Sequence, residues 1–123
     1  QAAKTGEMNM ALTRKFRSVM LERARHDAGF RLAMLKEGID AMLAGDLATG
    51  KAILRDYINA AVGFASLAEA SGIPAKSLMR MLGPQGNPRA DNLFKIIGHI
   101  QAREGVHLGV TPCGAATSRR AGS

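Results

Sequence analysis

The sequence predicts an all-α protein, and three observations lead to that prediction. Apolar residues make up 46% of the 123 residues, aromatic residues make up only 4%, and tryptophan is absent. Alanine, leucine and methionine dominate the apolar set, and they favour helices more than β-branched residues do. Apolar positions recur at intervals of three and four residues, which is the spacing of one helix face. We therefore expect a helical bundle with an N-terminal helical extension and at most one short C-terminal strand.

Composition also limits the classes of function. A net charge of +7 and a pI near 10.3 suit a polyanionic partner, although a basic protein without such a partner has the same composition. Cys113 is the sole cysteine, so the chain has no disulfide framework. No apolar run reaches the ~18–20 residues of a membrane span and no signal peptide is recognisable. We therefore expect a cytoplasmic protein with no membrane contact. Because the chain begins with Gln1, Met8 and Met10 are the alternatives for a natural start.

The N-terminal part is predicted to be loose over residues 1–11, which lack periodicity, and to form a helical extension over residues 12–45. Thr13 is a suitable cap for the first helix. An apolar stripe on this helix is expected to be buried: Phe16, Val19, Met20 and Ala24. The basic residues lie mostly off that stripe, where they either face solvent or contact a nucleic acid: Arg14, Lys15, Arg17, Arg23 and Arg25.

Two aspartates predict the starts of the next two helices. Asp27 can cap a second helix, which Gly45 is placed to end. Asp46 can cap a third helix, and Lys51 and Arg55 are expected to form its basic edge. The buried stripe of the third helix is predicted to be Leu47, Ile53, Leu54, Tyr57, Ile58 and Ala61.

The stretch GFASLAEASGIPAKSLMRML, residues 63–82, predicts two short helices joined by a turn at Gly72, where the turn requires a positive φ. The first helix is apolar at Phe64, Leu67 and Ala68. The second carries Leu78, Met81 and Leu82 on one face and Lys76 and Arg80 on the opposite face. Such a pair is typical of a helix-turn-helix. The alternative is a helical hairpin in a small bundle with two surface cations.

The second of these helices has the residues that reading a major groove requires. No acidic residue lies between Ala70 and Ala90, so phosphates would not be repelled. Arginine pairs with the guanine edge, and lysine can reach the same edge. The residues that we predict to read bases are Ala75, Lys76, Ser77, Met79 and Arg80. For Met79 two roles stay open, contact with thymine methyl groups or packing at the edge of the core.

The loop GPQGNPR, residues 83–89, has a predicted role in phosphate binding. Asn87 is a natural N-cap and Pro88 suits the first position of a last helix, whose free amides can bind a phosphate. The residues that we predict to contact phosphates are Ser66, Gln85, Gly86, Asn87 and Arg89. The alternative is an ordinary capped helix start.

The last predicted helix contains Leu93, Ile96, Ile97 and Ile100 and ends at Gly105. The alternation from residue 106 to 110 is typical of a short strand, which would need a partner strand, for example from a second subunit. Residues 111–123 are expected to form a disordered tail. Residues 46–110 are therefore predicted to form one DNA-binding unit.

Four short motifs carry a resemblance to a known family: Tyr57-Ile58-Asn59, Leu67-Ala68 to Gly72, Ser77-Leu78 to Leu82, and Gly86-Asn87-Pro88 before Leu93. Together they resemble the lambda-repressor-like (Cro-type) helix-turn-helix transcriptional regulators, and among them the addiction-module antidote proteins, over about half of the chain. The resemblance implies a homodimer that binds a palindromic operator in double-stranded DNA and represses transcription. Pro74 departs from the family, in which serine or threonine commonly starts the recognition helix.

Two other classes of function are alternatives to a regulator. An antitoxin would bind and neutralise a toxin protein through the N-terminal helices or the C-terminal strand, and this can coexist with DNA binding. An enzyme is disfavoured because His26, His99 and His107 are far apart and lack ligand spacing for a metal. The loop GPQGNP also lacks the Lys-Ser/Thr pair of a nucleotide-binding loop. We therefore expect no catalytic residue, no metal and no cofactor.

Overall fold

A computed structural model describes the backbone of residues 2–112 and the side chains of residues 14–112. Over these residues the chain forms six α-helices, one π-helical turn and no strand, which confirms the all-α prediction. The predicted tail beyond residue 112, including Cys113, lies outside the described residues. The helices are α1 (Ala2–His26), α2 (Ala28–Leu43), α3 (Leu47–Tyr57), α4 (Phe64–Ser71), α5 (Ala75–Met81) and α6 (Ala90–Glu104), and the π-helical turn is Ile58–Val62. No helix in this part of the chain is long and apolar enough to cross a membrane.

The N-terminal helix differs from its prediction in where it begins. Helix α1 starts at Ala2, so residues 2–11 are helical rather than loose, and Thr13 lies inside the helix instead of capping it. The segment from Ala2 to Leu12 contains alanine, lysine, glutamate, methionine and leucine, all of which have high helix propensity, and it contains no proline. These propensities outweigh the missing hydrophobic periodicity.

The apolar stripe of α1 is buried only in part. Ala24 is fully buried and Met20 is half-buried. Phe16 and Val19, however, have 66% and 61% of their surface exposed to solvent. The prediction that all four residues are buried is therefore wrong. Val19 lies roughly 140° around the helix from Ala24 at about 100° per residue, and Phe16 lies about two turns before Ala24. Contacts with α2, α3 and the π-helical turn consequently leave both side chains uncovered.

Helices α2 and α3 begin where the two aspartates predicted. Asp27 Oδ1 accepts a hydrogen bond from the Phe30 amide at 3.0 Å, and Asp46 Oδ1 accepts one from the Thr49 amide at 3.1 Å. These bonds satisfy amides that a helix start leaves without an intrahelical partner. Gly45 follows α2 with a φ of +91°, which suits glycine at a helix end. The predicted boundary between α2 and α3 is confirmed.

Two glycines let α2 and α3 pack closely against each other. Gly38 and Gly50 are both buried. A Cβ atom at Gly50 would lie 2.4 Å from Met42 Cγ and 3.0 Å from the Gly38 carbonyl oxygen. The absence of a side chain at Gly50 therefore sets how near the two helices approach.

A single hydrophobic core joins the last three helices and the π-helical turn to α2 and α3. The buried apolar residues of this core, outside α1 and α2, are Leu54, Tyr57, Ile58, Phe64, Leu67, Leu78, Leu82, Ile96, Ile97 and Ile100. The π-helical turn closes with a hydrogen bond from the Gly63 amide to the Ile58 carbonyl at 2.6 Å. Gly63 then adopts a φ of +88°, so the chain changes direction there and α4 starts as a separate helix.

The C-terminal part corrects two predictions. Helix α6 begins at Ala90, and Arg89 before it is extended with φ −68° and ψ 150°, so Asn87 and Pro88 belong to the loop and do not start the helix. The predicted strand at residues 106–110 does not form, since no other strand is present among the described residues to pair with it. Leu108 instead packs against the core, and its amide donates to Gln101 Oε1 at 2.7 Å.

Candidate nucleic-acid interface

The turn between α4 and α5 has the conformation that the sequence predicts. Gly72 adopts φ +77° and ψ +7°, and its amide donates to the Ala68 carbonyl at 2.9 Å. The buried Ser71 adds a local bond, because its Oγ accepts from the Ile73 amide at 3.1 Å. The left-handed conformation is strained for residues with a Cβ. Gly72 therefore allows α5 to leave α4 abruptly, with both helices still packed on the core.

Helix α5 has one buried face and one exposed face. Leu78 is fully buried, whereas Lys76, Met79 and Arg80 are exposed. The three exposed residues have i, i+3, i+4 spacing and so share one side of the helix. Met79 is 48% exposed, which places it on this outward face rather than in the core. The exposed face of α5 is therefore basic with an apolar residue between its two cations.

The other predicted base-reading residues lie nearer the core. Ala75 and Ser77 are half-buried. Pro74 precedes α5 with ψ 143° and makes no side-chain capping bond, so proline leaves the first amides of α5 without the hydroxyl cap that serine or threonine would provide. Lys76 and Arg80 form no ion pair with another described residue, and no acidic side chain is present on α5.

Lys51 and Arg55 have a structural role that the sequence pattern did not predict. The predicted basic edge of α3 is wrong for Lys51, which is only 5% exposed. Lys51 Nζ donates to the Gly83 carbonyl at 3.0 Å and to the Gly86 carbonyl at 2.5 Å. Arg55 Nη1 donates to the Leu82 carbonyl at 2.6 Å. The two cations therefore bind the C-terminal end of α5 and the following loop.

A signal for this role was present in the sequence. Lys51 lies three residues before Leu54 and seven before Ile58, so it falls on the predicted buried stripe of α3. A lysine on an apolar face must either extend its amine to water or find acceptors inside the protein. The acceptors themselves lie more than 30 residues away in the chain and could not be identified from periodicity.

Gly86 is the point where the loop approaches α5 most closely. A Cβ atom at this position would lie 2.1 Å from the Arg80 carbonyl oxygen and 2.6 Å from the Met81 carbonyl oxygen. The Gly86 amide donates to the Gly83 carbonyl at 3.0 Å, and its own carbonyl accepts from Lys51. The amide that we predicted to bind a phosphate is thus already used within the loop, and Gly86 positions α5 instead.

The remaining residues of the predicted phosphate set occupy two different places. Gln85, Asn87 and Arg89 are exposed in the loop between α5 and α6. Ser66 is exposed on α4, but it lines a small depression with His99, a residue in the second half of α6. The structure therefore brings the loop residues together and leaves Ser66 apart from them.

The start of α6 is less favourable to a phosphate than the sequence predicted. Arg89 Nε lies 3.4 Å from Asp91 Oδ1, and the same oxygen accepts from the Asn92 amide at 2.8 Å. A carboxylate thus takes the position at the helix start where an anion is most stable. Asp91 is exposed, so its side chain can turn away, but a phosphate would first have to displace it.

No known protein family, curated protein or solved structure matches this chain. The geometry and charge of the α4–α5 pair are therefore the observations on which a function must be argued.

Proposed function

We propose that the protein is a sequence-specific DNA-binding transcriptional regulator of the helix-turn-helix type, in which α5 reads the major groove. The observation that carries this proposal is the outward face of α5. It presents Lys76, Met79 and Arg80 to solvent on a short helix that is anchored by a fully buried Leu78. A surface helix without a ligand has no need to exclude acidic residues, whereas a helix that enters a field of phosphates does.

The size and mounting of α5 also support this mode of binding. An α-helix with its side chains is about 10–12 Å across, which fits a major groove about 12 Å wide. Arg80 can pair with guanine O6 and N7, Lys76 can reach the same edge, and Met79 can contact a thymine methyl group. Lys51 and Arg55 fix the loop after α5, so the helix would meet DNA in a preorganised position.

Operator recognition would require two copies of α5. Regulators of this type bind as homodimers, and their two recognition helices lie about 34 Å apart on a palindromic site. Occupancy of the promoter, without any chemistry, would then repress transcription. Gln85, Asn87 and Arg89 are the exposed loop residues that would contact the phosphate backbone beside the groove.

The proposal is tested by titrating promoter-region DNA with the wild-type protein and with Lys76→Ala and Arg80→Ala at several salt concentrations. Each substitution is expected to weaken binding to the operator by about 1–3 kcal/mol and to relax the preference at one base position. Circular dichroism and thermal melting should stay at the wild-type values, because both side chains are exposed.

Lys36→Ala is a matched control, since Lys36 is an exposed cation on α2 that pairs with Asp40. It removes the same unit of charge, and its affinity should fall much less than that of either α5 variant. Equal losses for all three variants would mean that net charge, and not α5, determines binding. If neither Lys76→Ala nor Arg80→Ala changes the affinity for DNA, α5 is not the helix that reads the major groove.

A second candidate function, the binding of a protein partner by α1, is favoured by one specific observation. Phe16 and Val19 are largely exposed, and exposed apolar side chains on one element are frequent at protein interfaces. Cations Arg14, Lys15 and Arg23 flank them on the same helix. A toxin protein with an acidic surface would suit this face, and the antitoxin and the regulator can be the same molecule.

Co-expression with the product of a neighbouring small gene tests this second function. We expect the two chains to copurify, and Phe16→Ser to abolish copurification without changing the affinity for DNA. If the two chains never associate, α1 is excluded as an antitoxin surface. The same holds if they associate equally well with Phe16→Ser. Sedimentation of the protein alone separates a toxin contact from a homodimer contact at the same face.

A further inference from the structure

A second basic feature lies at the opposite end of α6 from the candidate DNA-binding loop. A pocket of about 300 Å³ opens between α1, α2, the π-helical turn and α6. We call it the arginine pocket, and its lining residues are Arg25, Arg31, Ala60, Ala61, Arg103 and Glu104. Arg103 is fourteen residues after Arg89 in the chain, so the two lie about 20 Å apart along the axis. The arginine pocket is therefore far from Arg89, and none of its lining residues lies on α5.

The charges around the arginine pocket do not balance. Arg31 Nε pairs with Glu104 Oε2 at 2.8 Å, and Arg25 Nη1 pairs with Glu22 Oε1 at 2.5 Å. Arg103 forms no ion pair with any described residue, and it donates from Nη2 only to the Ala61 carbonyl, at 2.6 Å. Three guanidinium groups thus line one small pocket with a single carboxylate in its wall.

That carboxylate is already committed to other groups. The side chain of Glu104 is only 5% exposed, and its Oε2 accepts from both Arg31 and the Tyr57 hydroxyl. Burial raises the pKa of Glu104 and is the largest single effect, but the hydrogen bonds from Arg31 and Tyr57 together with the charges of Arg31 and Arg103 lower it more, so the net pKa lies below its ordinary value. Glu104 is thus an ionised anchor for Arg31, and it interacts with Arg103 only through charge at longer range, without an ion pair.

Several hydrogen-bond donors of the arginine pocket have no acceptor among the described residues. Arg31 uses Nε for Glu104 and Nη1 for the Ala24 carbonyl at 3.0 Å, and no acceptor is present for its Nη2. Arg103 uses Nη2 for Ala61, and no acceptor is present for its Nε and Nη1. A guanidinium presents its donors in a planar fork that matches the two oxygens of a carboxylate or a phosphate.

We propose that the arginine pocket is a binding site for a small oxyanion, in which the phosphate or carboxylate group of a small molecule bridges Arg103 to Arg31, with Arg25 at the entrance. The free donors are open to solvent, since no buried side-chain donor among the described residues lacks a partner, so an anion can reach them and accept their hydrogen bonds. A volume near 300 Å³ is at the lower end of ligand pockets, so it suits a small acid and not a nucleotide. The proposal does not depend on the DNA-binding function.

Binding would also have a structural consequence. Arg25 belongs to α1, Arg31 to α2 and Arg103 to α6, so one bound anion would connect three helices. A ligand that binds only the folded state stabilises it in proportion to its occupancy. The melting temperature should therefore rise with anion concentration, and it should rise further than an equal ionic strength of chloride can produce.

The test measures binding of inorganic phosphate and of succinate to the full chain by isothermal titration calorimetry, in chloride buffer of constant ionic strength. Saturable binding of at least one of the two anions is expected, with one site per chain. Whichever anion binds more tightly identifies the group, phosphate or carboxylate, that the pocket prefers. Thermal melts in the same buffers provide a second, independent measurement.

Arg103→Gln is the decisive variant, and it should weaken anion binding by at least about tenfold because it removes a charge-assisted pair of donors. Since it also removes the bond to Ala61, Arg25→Gln serves as a second variant that leaves that bond intact. Arg14→Gln is the matched control, because Arg14 is an exposed cation on α1 outside the pocket. The control should retain its affinity within about twofold, as expected for a screened surface charge.

Three results would overturn the proposal. The first is that neither anion binds more tightly than chloride. The second is an equal loss for Arg14→Gln and the pocket variants, which would indicate general charge attraction. The third is that Arg103→Gln weakens binding to DNA while no free anion binds to the wild type. These cations would then contact the phosphates of the nucleic acid.

Discussion

Two pairs of basic residues in this protein share the same sequence spacing and have opposite environments. Lys51 and Arg55, the inner pair, lie four residues apart on α3, and Lys76 and Arg80, the outer pair, lie four residues apart on α5. The inner pair donates hydrogen bonds to the carbonyls of Leu82, Gly83 and Gly86. The outer pair is exposed and makes no ion pair with a described residue.

The difference shows that two cations one helical turn apart do not by themselves indicate a binding surface. Carbonyls at the end of a helix have no intrahelical partner and carry partial negative charge, so a nearby lysine or arginine is a suitable donor for them. The inner pair occupies the C-terminal end of α5 in this way. Only the outer pair stays available to an external anion, and the inner pair determines how α5 is held.

The largest effect is expected from Gly86→Ala, because it displaces the loop that the inner pair binds. The new Cβ atom would lie 2.1 Å from the Arg80 carbonyl oxygen, and this atom belongs to the backbone and cannot rotate away. We expect the free energy of unfolding to fall by about 3 kcal/mol, the upper range for overpacking. The free energy of unfolding is measured by urea denaturation, with circular dichroism as the signal.

Gly98→Ala is the control for that prediction. Gly98 is an exposed glycine of α6, and a Cβ atom added there would have no neighbouring atom within 4 Å. Alanine should therefore raise the free energy of unfolding by about 0.5–1 kcal/mol. If Gly86→Ala unfolds at the same urea concentration as the wild type, the close approach of the loop to α5 is wrong.

An intermediate effect is expected when the two lysines are compared directly. Lys51→Met keeps the length of the side chain but leaves two carbonyls without their donor, so the free energy of unfolding should fall by about 2 kcal/mol. Lys76→Met changes an exposed residue and should stay within about 0.5 kcal/mol of the wild type. The same urea titration compares both variants. If the free energy of unfolding falls by a similar amount in both, the inner and the outer pair do not differ in their contribution to stability.

The smallest effect is expected from Glu104→Gln, because Glu104 is the partner of Arg31, a basic residue outside both pairs that binds a carboxylate instead of a carbonyl. The pKa of Glu104 lies below its ordinary value in the folded protein, so its ionised form stabilises the fold above the ordinary pKa of 4.5. That contribution is lost as the pH falls through the lowered pKa. Glu104→Gln retains an acceptor for Arg31 and Tyr57, so it should cost about 1 kcal/mol at neutral pH.

Urea titrations of the wild type and Glu104→Gln at pH 7, at pH 5 and at about pH 3 test the pH dependence. The difference between the two proteins should be similar at pH 7 and pH 5 and should shrink toward about pH 3, because below the ordinary pKa of 4.5 the unfolded chain binds a proton at Glu104 more readily than the folded protein does. A difference that is the same at all three pH values would contradict an ionised Glu104 beside Arg31.

The apolar residues repeat the lesson of the basic pairs. On α6 the predicted apolar residues Ile96, Ile97 and Ile100 are buried. On α1, by contrast, the predicted apolar residues Phe16 and Val19 are exposed to solvent. Periodicity identifies which residues share a face of a helix. It does not say whether another helix covers that face, because covering depends on where the remaining elements pack.

The candidate site could be predicted in part for the same reason. The turn at Gly72, the burial of Leu78 and the exposure of Lys76 and Arg80 all follow from the sequence pattern. The use of the Gly86 amide within its own loop could not be predicted, since that depends on how the loop folds back on α5.

Local sequence patterns were enough to predict the helical class, the caps at Asp27 and Asp46, and the turn at Gly72. Each of these depends on interactions between residues at most four positions apart, and such interactions are encoded locally. The tertiary structure alone decided the role of Lys51 and Arg55, because their hydrogen bonds join residues 27 to 35 positions apart. It also decided the clustering of three arginines from three helices around one pocket. Contacts of this range depend on how whole helices pack, and no local pattern encodes them.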